Sequence, residues 1–332
     1  MHVLVIGGNR FVGLLATWRL LAGGHRVTLF NRGTLADPFG DRVERLVGDR
    51  TGPALERLLG GRAFDGVLDL AAFTGEDGRR SATLLAGRCG HYLMVSTGQV
   101  YLVRQGCPSP AREEDYQGPV MARPDDPADL WDWEYGMGKR ACEDALVAAG
   151  RAGFPATRLR IPMVNGALDH HRRLEGYLWR LLDGGPVLVP DGGAHRVRHV
   201  AGEEVARLLV ELLGREPAFG QAYNLAQEET PTLLELLGAL RDLVGSRAEL
   251  VPVPAARLRA AGLAPVEVSP FSGRWMSFLD PARAGRELGF RHAPLERVLH
   301  GVVASFLGHP PGDRPPGYAR RAAELALARE VG

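Results

Sequence analysis

A glycine-rich turn between a strand and a helix constrains the fold of this chain more than any other feature of its sequence. Val3–Ile6 is an unbroken apolar run of the kind found in buried strands, and apolar residues then recur at helical spacing over residues 11–22. Glycines at such a turn let the backbone approach a pyrophosphate, whose charge lies at the positive helix N-terminus. A dinucleotide site is therefore predicted at Gly7-Gly8-Asn9-Arg10-Phe11-Val12-Gly13, with a tight turn that binds no ligand as the alternative.

Short apolar runs alternate with helical patterns through the first half of the chain. Further strands are predicted at residues 27–30, 45–47, 66–70, 92–95 and 156–161. Helices are predicted at 78–88 and 133–149 and, in the less regular second half, at 202–213 and 232–244. Strands that alternate with helices form right-handed crossovers, so we expect a parallel sheet covered by helices on both faces.

Length and composition limit the possible functions. A chain of 332 residues accommodates about two domains, or one large α/β unit with an appendage. With 40 Lys+Arg against 39 Asp+Glu, the net charge of +1 provides no field that would hold nucleic acid. Three cysteines without a C-x-x-C pair, and histidines without metal-ligand spacing, argue against a disulfide framework and a metal site. Because no apolar run is long enough to span a membrane and the N-terminus has no room for a signal peptide, we expect a cytoplasmic protein.

The end of the second predicted strand bears on the choice of cofactor. An acidic residue at this position would accept hydrogen bonds from the ribose 2′-hydroxyl of NAD, whereas Asn31 and Arg32 stand here. Arg32, together with Arg10, is suited to pair with the 2′-phosphate of NADP, with a solvated surface arginine as the alternative. The pattern favours NADP and leaves NAD open. Asp49 follows the third strand, where it either accepts a hydrogen bond from the adenine amino group or caps a turn.

A tyrosine and a lysine form the most specific chemical pattern. In Tyr135-Gly-Met-Gly-Lys139 the two side chains are four residues apart on one face of a predicted helix. A nearby ammonium stabilises the phenolate and so lowers the pKa of a phenol from its reference value of about 10. Tyr135 can then act as an acid or base near neutral pH. Thr97, at a strand end, offers a hydroxyl for a hydrogen bond to a substrate oxygen.

The order of these motifs resembles the extended branch of the short-chain dehydrogenase/reductase superfamily, the NAD-dependent epimerase/dehydratase family. The similar segments extend over nearly the whole chain: Gly7–Gly13, Leu70-Ala71-Ala72, Ser96-Thr97-x-x-Val100-Tyr101, Glu113–Asp115, Tyr135 to Lys139 with Glu143, Arg160-x-Pro162, Ala222–Leu225, and Leu279–Phe290. The resemblance implies an α/β fold with a doubly wound parallel sheet of the Rossmann type. Residues 1–160, with later segments, would form the NAD(P)-binding domain, and residues 161–332 mainly a smaller C-terminal substrate lobe and terminal helices.

The resemblance also implies roles for individual residues. Tyr135, Lys139 and Thr97 are the implied catalytic set. The predicted cofactor-binding positions, including those argued above, are Gly7, Asn9, Arg10, Phe11, Val12, Gly13, Asn31, Arg32, Asp49, Arg50, Leu70, Ala71, Ala72, Ser96, Tyr135, Lys139 and Pro162.

The residues after Thr97 narrow the choice of reaction. Dehydratases of this family carry an Asp-Glu pair directly after the threonine, and decarboxylating members have a Glu at the second position. Gly98 and Gln99 stand here instead, and neither transfers a proton at neutral pH. Two reactions that need only the Tyr, Lys and Thr remain. The family favours epimerisation of a nucleotide-activated sugar, whereas Arg10 and Arg32 favour an NADPH-dependent ketone reductase that acts on a small metabolite.

A nucleotide-activated sugar requires cations for its diphosphate. Alternation over residues 195–199 would place Arg196 and Arg198 on one face of a strand, with an exposed polar edge strand as the alternative. Arg274 beside Trp275 is a further candidate. Together with Thr97 and Gln99, these arginines form the predicted substrate-binding set.

Two further hypotheses concern partners. The Gly-Gly-Asn-Arg-Phe variant resembles a subgroup that includes chloroplast stem-loop-binding proteins, so a non-catalytic, nucleotide-gated binding or scaffold protein stays open. The complete Tyr-Lys-Thr set and the near-zero net charge argue against it. The small residues Ala141, Ala145 and Ala148 on the Tyr–Lys helix permit close helix packing, from which we predict a homodimer.

Overall fold

The structure is a computed structural model that describes residues 1–331. In chain order its strands are β1 (His2–Ile6), β2 (Arg26–Asn31), β3 (Val43–Val47), β4 (Gly66–Asp69), β5 (Tyr92–Thr97), β6 (Ala156–Ile161), β7 (Met163–Asn165), β8 (Val187–Pro190), β9 (His199–Ala201), β10 (Ala222–Asn224) and β11 (Leu250–Val253). Its α-helices are α1 (Phe11–Ala22), α2 (Ala54–Leu59), α3 (Gly75–Leu85), α4 (Gln99–Leu102), α5 (Pro127–Gly150), α6 (Arg173–Leu182), α7 (Gly202–Glu211), α8 (Leu233–Leu243), α9 (Ala255–Ala260), α10 (Pro265–Val268), α11 (Ala282–Leu288), α12 (Leu295–Gly308) and α13 (Arg321–Val331).

A seven-stranded parallel sheet with the order β10-β6-β5-β4-β1-β2-β3 confirms the predicted doubly wound α/β fold. The chain winds outward in one direction from β1 to β3 and in the other from β4 to β10, so the strand order reverses between β1 and β4. Ligands of such sheets bind outside the carboxyl ends of the strands at this reversal. In register, Ile6 of β1 lies opposite Phe30 and Asp69, which brings the segments after β1, β2 and β4 to the same edge.

The chain divides into two compact units. Unit 1 comprises Met1–Pro162, Gly202–Ala226 and Ser277–Arg291, and it contains the seven-stranded sheet. Unit 2 comprises Met163–Ala201, Gln227–Met276 and the segment from residue 292 onward, with two small parallel sheets, β7-β9 and β8-β11. In residues 1–331, no helix is long and apolar enough to cross a membrane.

Capping residues explain why two helices begin earlier than predicted. Helix α3 begins at Gly75 because the Thr74 hydroxyl accepts a hydrogen bond from the Asp77 N–H, and the Asp77 carboxylate accepts one from Thr74 in return. Helix α5 begins at Pro127 because the Asp126 carboxylate caps its first turn, where proline is well tolerated. The additional turns place acidic and aromatic residues ahead of Tyr135.

Candidate active site

The glycine turn after β1 has the geometry of an anion-binding site. Gly7 has a φ of +90°, and a Cβ on Gly13 would lie 2.6 Å from the Gly7 carbonyl oxygen, so a larger side chain would displace the turn. Arg10 precedes α1, and its guanidinium only donates hydrogen bonds. It therefore cannot accept one from the first N–H groups of the helix. These N–H groups therefore suit a pyrophosphate, and the turn fits the predicted dinucleotide.

Two asparagines connect the glycine turn to the end of β2. Asn31 Nδ2 donates to Asn9 Oδ1 at 2.7 Å, and the Gly33 N–H donates to Asn31 Oδ1 at 2.8 Å. Arg10 and Arg32 are both exposed, and neither guanidinium makes a hydrogen bond or ion pair with residues 1–331. Both guanidinium groups are therefore accessible to an anionic ligand.

Asp49 and Arg50 follow β3 and are partly engaged within the protein. Asp49 Oδ1 accepts hydrogen bonds from the Thr51 N–H and hydroxyl at 2.8 and 2.7 Å, the arrangement of a turn-capping aspartate, and these bonds lower the pKa of Asp49. Arg50 is directed inward, with Nη1 2.8 Å from Asp69 Oδ1 and Nε 3.0 Å from Asp77 Oδ1. A contact between Arg50 and a cofactor would therefore involve its backbone rather than its guanidinium.

The segment Leu70-Ala71-Ala72, directly after β4, lies beside the glycine turn. A Cβ on Gly7 would be 3.3 Å from Ala71 Cβ, and the Ala71 N–H donates to Asp69 Oδ1 at 2.9 Å. The next residue, Phe73, is 47% exposed. Small residues at this strand end keep the edge open, and Phe73 extends it with an aromatic surface.

Tyr135 and Lys139 lie on α5 against this edge. Lys139 is 2% exposed, and its Nζ donates to the Val95 carbonyl oxygen of β5 at 2.9 Å. The same nitrogen lies 4.6 Å from the centroid of the Phe73 ring and 6.0 Å from that of the Tyr135 ring. Tyr135 is half-buried and stacks on Trp131 with a centroid separation of 5.5 Å. The two side chains therefore share one helix face beside the ends of β4 and β5.

The two glycines between Tyr135 and Lys139 allow this close packing. A Cβ on Gly138 would lie 2.6 Å from the Phe73 carbonyl oxygen, and one on Gly136 would lie 3.0 Å from that of Gln99. The segments after β4 and β5 can therefore both approach α5 close to Tyr135.

The polar residues at the end of β5 face in different directions. Ser96 is buried, and its hydroxyl donates to Glu143 Oε1 at 2.5 Å, so its side chain belongs to the interior. Thr97 Oγ1 accepts a hydrogen bond from the Gln99 N–H at 3.2 Å, and Thr97 is 9% exposed. Thr97 is therefore also buried, but its hydroxyl bonds to the segment after β5 and not to the Glu143 carboxylate.

The structure explains Gly98 and identifies a carboxylate that the sequence analysis missed. A Cβ on Gly98 would be 2.1 Å from Ser277 Oγ, so no acidic side chain fits there. Gln99 Nε2 donates to Asp132 Oδ1 at 2.7 Å, and partial burial raises the pKa of Asp132. The sequence does contain a signal for this carboxylate, because Asp132 is three residues before Tyr135 on the same helix face.

In unit 2, the predicted pairing of Arg196 and Arg198 on one strand face is wrong. Strand β9 begins only at His199, Arg196 is exposed, and Arg198 is buried. Arg196 Nη1 donates to the Thr230 carbonyl oxygen at 2.9 Å. Arg274 is exposed, with its guanidinium 5.5 Å from the centroid of the Trp275 ring. These arginines remain predicted phosphate ligands.

Two of the three alanines assigned to dimer packing, Ala141 and Ala145, contact another helix of the same chain. Built Cβ atoms on Gly75 and Gly78 of α3 would lie 3.2 and 3.1 Å from the Cβ atoms of Ala141 and Ala145, respectively. Their small size therefore serves the pairing of α3 with α5. The homodimer stays a prediction, and Pro162, directly after β6, stays a predicted cofactor contact.

The extended short-chain dehydrogenases/reductases are defined by a doubly wound sheet with two further features. One is a glycine turn after the first strand, and the other is a Tyr-x-x-x-Lys helix beside the fifth strand. The family model "NAD dependent epimerase/dehydratase family" matches residues 3–226. The chain belongs to this family of NAD-dependent enzymes.

Two relatives are each 27% identical to this chain. A chloroplast stem-loop binding protein of 41 kDa from Arabidopsis thaliana matches over 247 residues, which are 69% of this chain and 60% of the relative. The chain thus spans about three fifths of that protein. A 2′-dehydrokanamycin reductase from Streptomyces kanamyceticus matches over 288 residues, 84% of this chain and 77% of the relative.

Solved structures share the fold at low identity. A UDP-glucose 4-epimerase from Thermotoga maritima is 19% identical with a TM-score of 0.73, over 93% of this chain and 99% of that one. A dTDP-glucose 4,6-dehydratase from Streptomyces venezuelae, solved with NAD bound, is 20% identical with a TM-score of 0.69, over 93% and 98% of the two chains.

Proposed function

We propose that this protein catalyses NAD(P)-dependent hydride transfer at a hydroxyl or keto carbon of a sugar, with Tyr135 as the acid and base. The observation that carries the proposal is the buried ammonium of Lys139, 6.0 Å from the Tyr135 ring centroid at the carboxyl ends of β4 and β5. An ammonium held in a desolvated position favours the phenolate more strongly than one in water.

Each residue of the site has a defined task in this reaction. When bound, the nicotinamide supplies the group that accepts or donates the hydride. Tyr135 takes the proton of the substrate hydroxyl during oxidation and returns a proton to the oxygen during reduction. Lys139 stabilises the phenolate between these steps, and the Thr97 hydroxyl orients the substrate oxygen. The glycine turn and the uncapped N-terminus of α1 would hold the pyrophosphate.

Epimerisation of a nucleotide-activated sugar and reduction of a ketone both use this set of residues. The steric block at Gly98 supports both over dehydration, since no acid fits beside Thr97. Similarity to solved epimerases that bind nucleotide sugars supports the first reaction. Two observations support NADPH-dependent reduction of a small ketone. Arg10 and Arg32 are exposed, and 84% of the chain matches a 2′-dehydrokanamycin reductase.

The nucleotide that accompanies the purified protein distinguishes the two reactions. Mass spectrometry of the supernatant after denaturation would detect retained NAD for an epimerase, which regenerates its cofactor in each cycle. For a reductase we expect little retained nucleotide, together with deuterium transfer from NADPH labelled at C4 to a ketone substrate. Failure to bind either nucleotide in calorimetry would contradict both proposals.

Replacement of Arg32 by alanine tests the preference for NADP. Loss of a charge-assisted hydrogen bond to the 2′-phosphate removes about 1.5–3 kcal/mol, which weakens NADP binding about 10- to 150-fold. NAD lacks this phosphate, so its Kd should change less than about 2-fold. Calorimetry with both nucleotides measures the difference. Arg26→Ala, at the start of β2, is the matched control, and equal losses for NAD and NADP would refute the assignment.

The pH dependence of activity tests the charge on Lys139. Burial lowers the pKa of Lys139 to about 8, although Cys142 and nearby carboxylates oppose the shift. The ammonium is therefore present below pH 8 and lost above it, so kcat/KM should fall on the alkaline side with an apparent pKa of about 8. Lys139→Arg, which stays charged at any accessible pH, should lower the rate but remove this alkaline limb. An unchanged limb in that variant would assign the titration to another group.

The lowered pKa of Lys139 also predicts how stability changes with pH, and here the change is a rise where activity falls. Since the folded pKa of Lys139 lies below its unfolded value of 10.5, the unfolded chain binds more protons between pH 8 and 10.5. The contribution of Lys139 to the free energy of unfolding therefore rises with pH in this window.

A further inference from the structure

An open apolar groove lies between α8 and α12 in unit 2. It has a volume of about 700 Å³, and its floor consists of Leu236, Ala239 and Leu243 from α8 and Leu295 and Leu299 from α12. Leu236 and Leu299 are buried, Leu243 and Leu295 are half-buried, and Ala239 is exposed. The apolar floor therefore extends from the core to the solvent.

The spacing of the floor residues suits a helix as the occupant. Leu236, Ala239 and Leu243 follow the i, i+3, i+7 pattern of one helix face, over about 10.5 Å of α8 at about 1.5 Å per residue. The small side chain of Ala239 leaves a recess between two leucines, where a large apolar side chain of a packed helix fits. Apolar side chains at similar spacing on a second helix extend over the same two turns, and helix-in-groove recognition uses this arrangement.

The polar border of the groove is acidic. Besides Thr230, its polar lining residues are Glu229, Glu235, Asp242 and Glu296, and no Lys, Arg or His in the described part of the chain lines it. Glu235 and Asp242 belong to α8, and Glu296 belongs to α12. Carboxylates therefore stand on both helices that form the groove.

Two of these carboxylates have a task within the fold. Glu235 accepts a hydrogen bond from the Thr232 N–H at 2.7 Å and so caps the start of α8. Glu229 accepts one from the Leu295 N–H at 2.9 Å, at the first residue of α12. Replacing either residue would disturb a helix end as well as the groove.

The other two carboxylates are free of such a task. The side chains of Asp242 and Glu296 are 75% and 84% exposed, and their ion-pair contacts are 3.5 Å to Arg241 and 3.7 Å to His300. Exposed pairs of this kind contribute little to folding. Their negative charge is therefore available to a ligand, and they can be replaced without loss of the fold.

The charge of the groove selects among its occupants. A second copy of this chain that docked groove to groove would bring like charges together, and a nucleotide or another anion would be repelled. A helix that carries Lys or Arg beside an apolar stripe complements both the floor and its border.

From the apolar floor, its helical spacing and the carboxylates on both helices, we infer that the α8–α12 groove docks a positively charged amphipathic helix of a partner protein. Apolar side chains at i, i+4 and i+7 of that helix lie on the floor, and its Lys or Arg side chains pair with Asp242 and Glu296. The inference goes beyond the proposed function, because no residue of the groove belongs to the sets assigned to the cofactor, the substrate or proton transfer.

Two synthetic peptides test the inference on the full-length protein. Both are about 15 residues long with leucines at i, i+4 and i+7, and one carries lysines beside the leucines where the other carries glutamates. Fluorescence anisotropy should give a Kd below about 100 μM for the lysine peptide and binding at least about 10-fold weaker for the glutamate peptide. A Kd above about 100 μM for the lysine peptide, or a smaller difference between the two, would overturn the inference.

A substitution on the floor locates the peptide. Ala239→Arg places a long cationic side chain in the recess and should weaken binding of the lysine peptide at least about 10-fold. Leu234→Arg is the matched control, because Leu234 is 43% exposed on the same helix but lies outside the groove. Arginine is a good helix former, so the melting temperature of both variants should change by less than about 2 °C. Equal affinities in the two variants would overturn the inference.

Charge reversal at the border provides a second measurement. The double variant Asp242→Lys, Glu296→Lys should reverse the preference, so that the glutamate peptide binds more tightly than the lysine peptide. An unchanged preference would show that the peptide binds elsewhere. Hexylamine, which has one ammonium and a short alkyl chain, should not displace the lysine peptide. Displacement at equal concentration would assign the groove to a small cation and overturn the docking of a helix.

Discussion

Replacement of Tyr135 by phenylalanine is expected to lower kcat about 10²- to 10⁴-fold, the usual contribution of general acid–base catalysis by one side chain. The variant keeps the ring that stacks on Trp131 at 5.5 Å and that lies 6.2 Å from the Phe73 ring centroid, so the site should stay folded. Only the proton-transferring oxygen is removed. The affinity for the nucleotide should therefore change little.

Steady-state rates and nucleotide calorimetry on the same preparation measure both expectations. Tyr318→Phe is the matched control, because it also removes one phenolic oxygen, which donates to Asp183 at 2.7 Å in unit 2. It should retain full activity. If Tyr135→Phe remained fully active, the Tyr–Lys pair would not perform the chemistry. If nucleotide bound but no turnover could be found for the wild-type protein, the non-catalytic binding hypothesis would gain support.

Much of unit 1 could be predicted because its signals are local. A buried parallel strand is an apolar run of a few residues, and the glycine turn, the Tyr–Lys spacing and the strand-end Ser96-Thr97 are all read within one segment. The parallel direction of the strands then follows from the alternation of strands and helices and from the handedness of their connections. The resemblance to the family predicted that this parallel sheet is doubly wound.

The features that could not be predicted depend on residues distant in sequence. Arg50 adjoins Asp49 and was assigned to the cofactor, but its ion-pair partners Asp69 and Asp77 come from the next strand and helix. The block at Gly98 depends on Ser277, far along the chain. The alternation around Arg196 resembled a strand, although the chain there forms only an isolated antiparallel bridge to Thr232. Spacing alone contains no information about such partners.

A buried ion pair between α5 and β6 leads to the largest expected effect on stability. Glu143, on α5 one turn after Lys139, accepts from Arg160 Nη2 at 2.7 Å and from the Ser96 hydroxyl, and the two charged side chains are 1% and 3% exposed. Burial opposes the ionisation of Glu143, but Arg160 and Ser96 hold its pKa below the usual value. The pair thus attaches α5, the helix that carries Tyr135 and Lys139, to β5 and β6.

Glu143→Gln should lower the free energy of unfolding by about 3–5 kcal/mol at pH 7, because it leaves the Arg160 charge buried without compensation. Guanidinium unfolding followed by circular dichroism measures the loss. Glu76→Gln is the control, since its pair with Arg79 is more than 60% exposed on both sides and contributes at most about 1 kcal/mol. A depressed folded pKa stabilises the protein above the unfolded value of 4.5 and ceases to do so as the pH falls. The difference in the free energy of unfolding between wild type and Glu143→Gln should therefore shrink in acid. A loss of stability below about 1 kcal/mol at pH 7 would show that water or a rearranged side chain compensates the charge of Arg160.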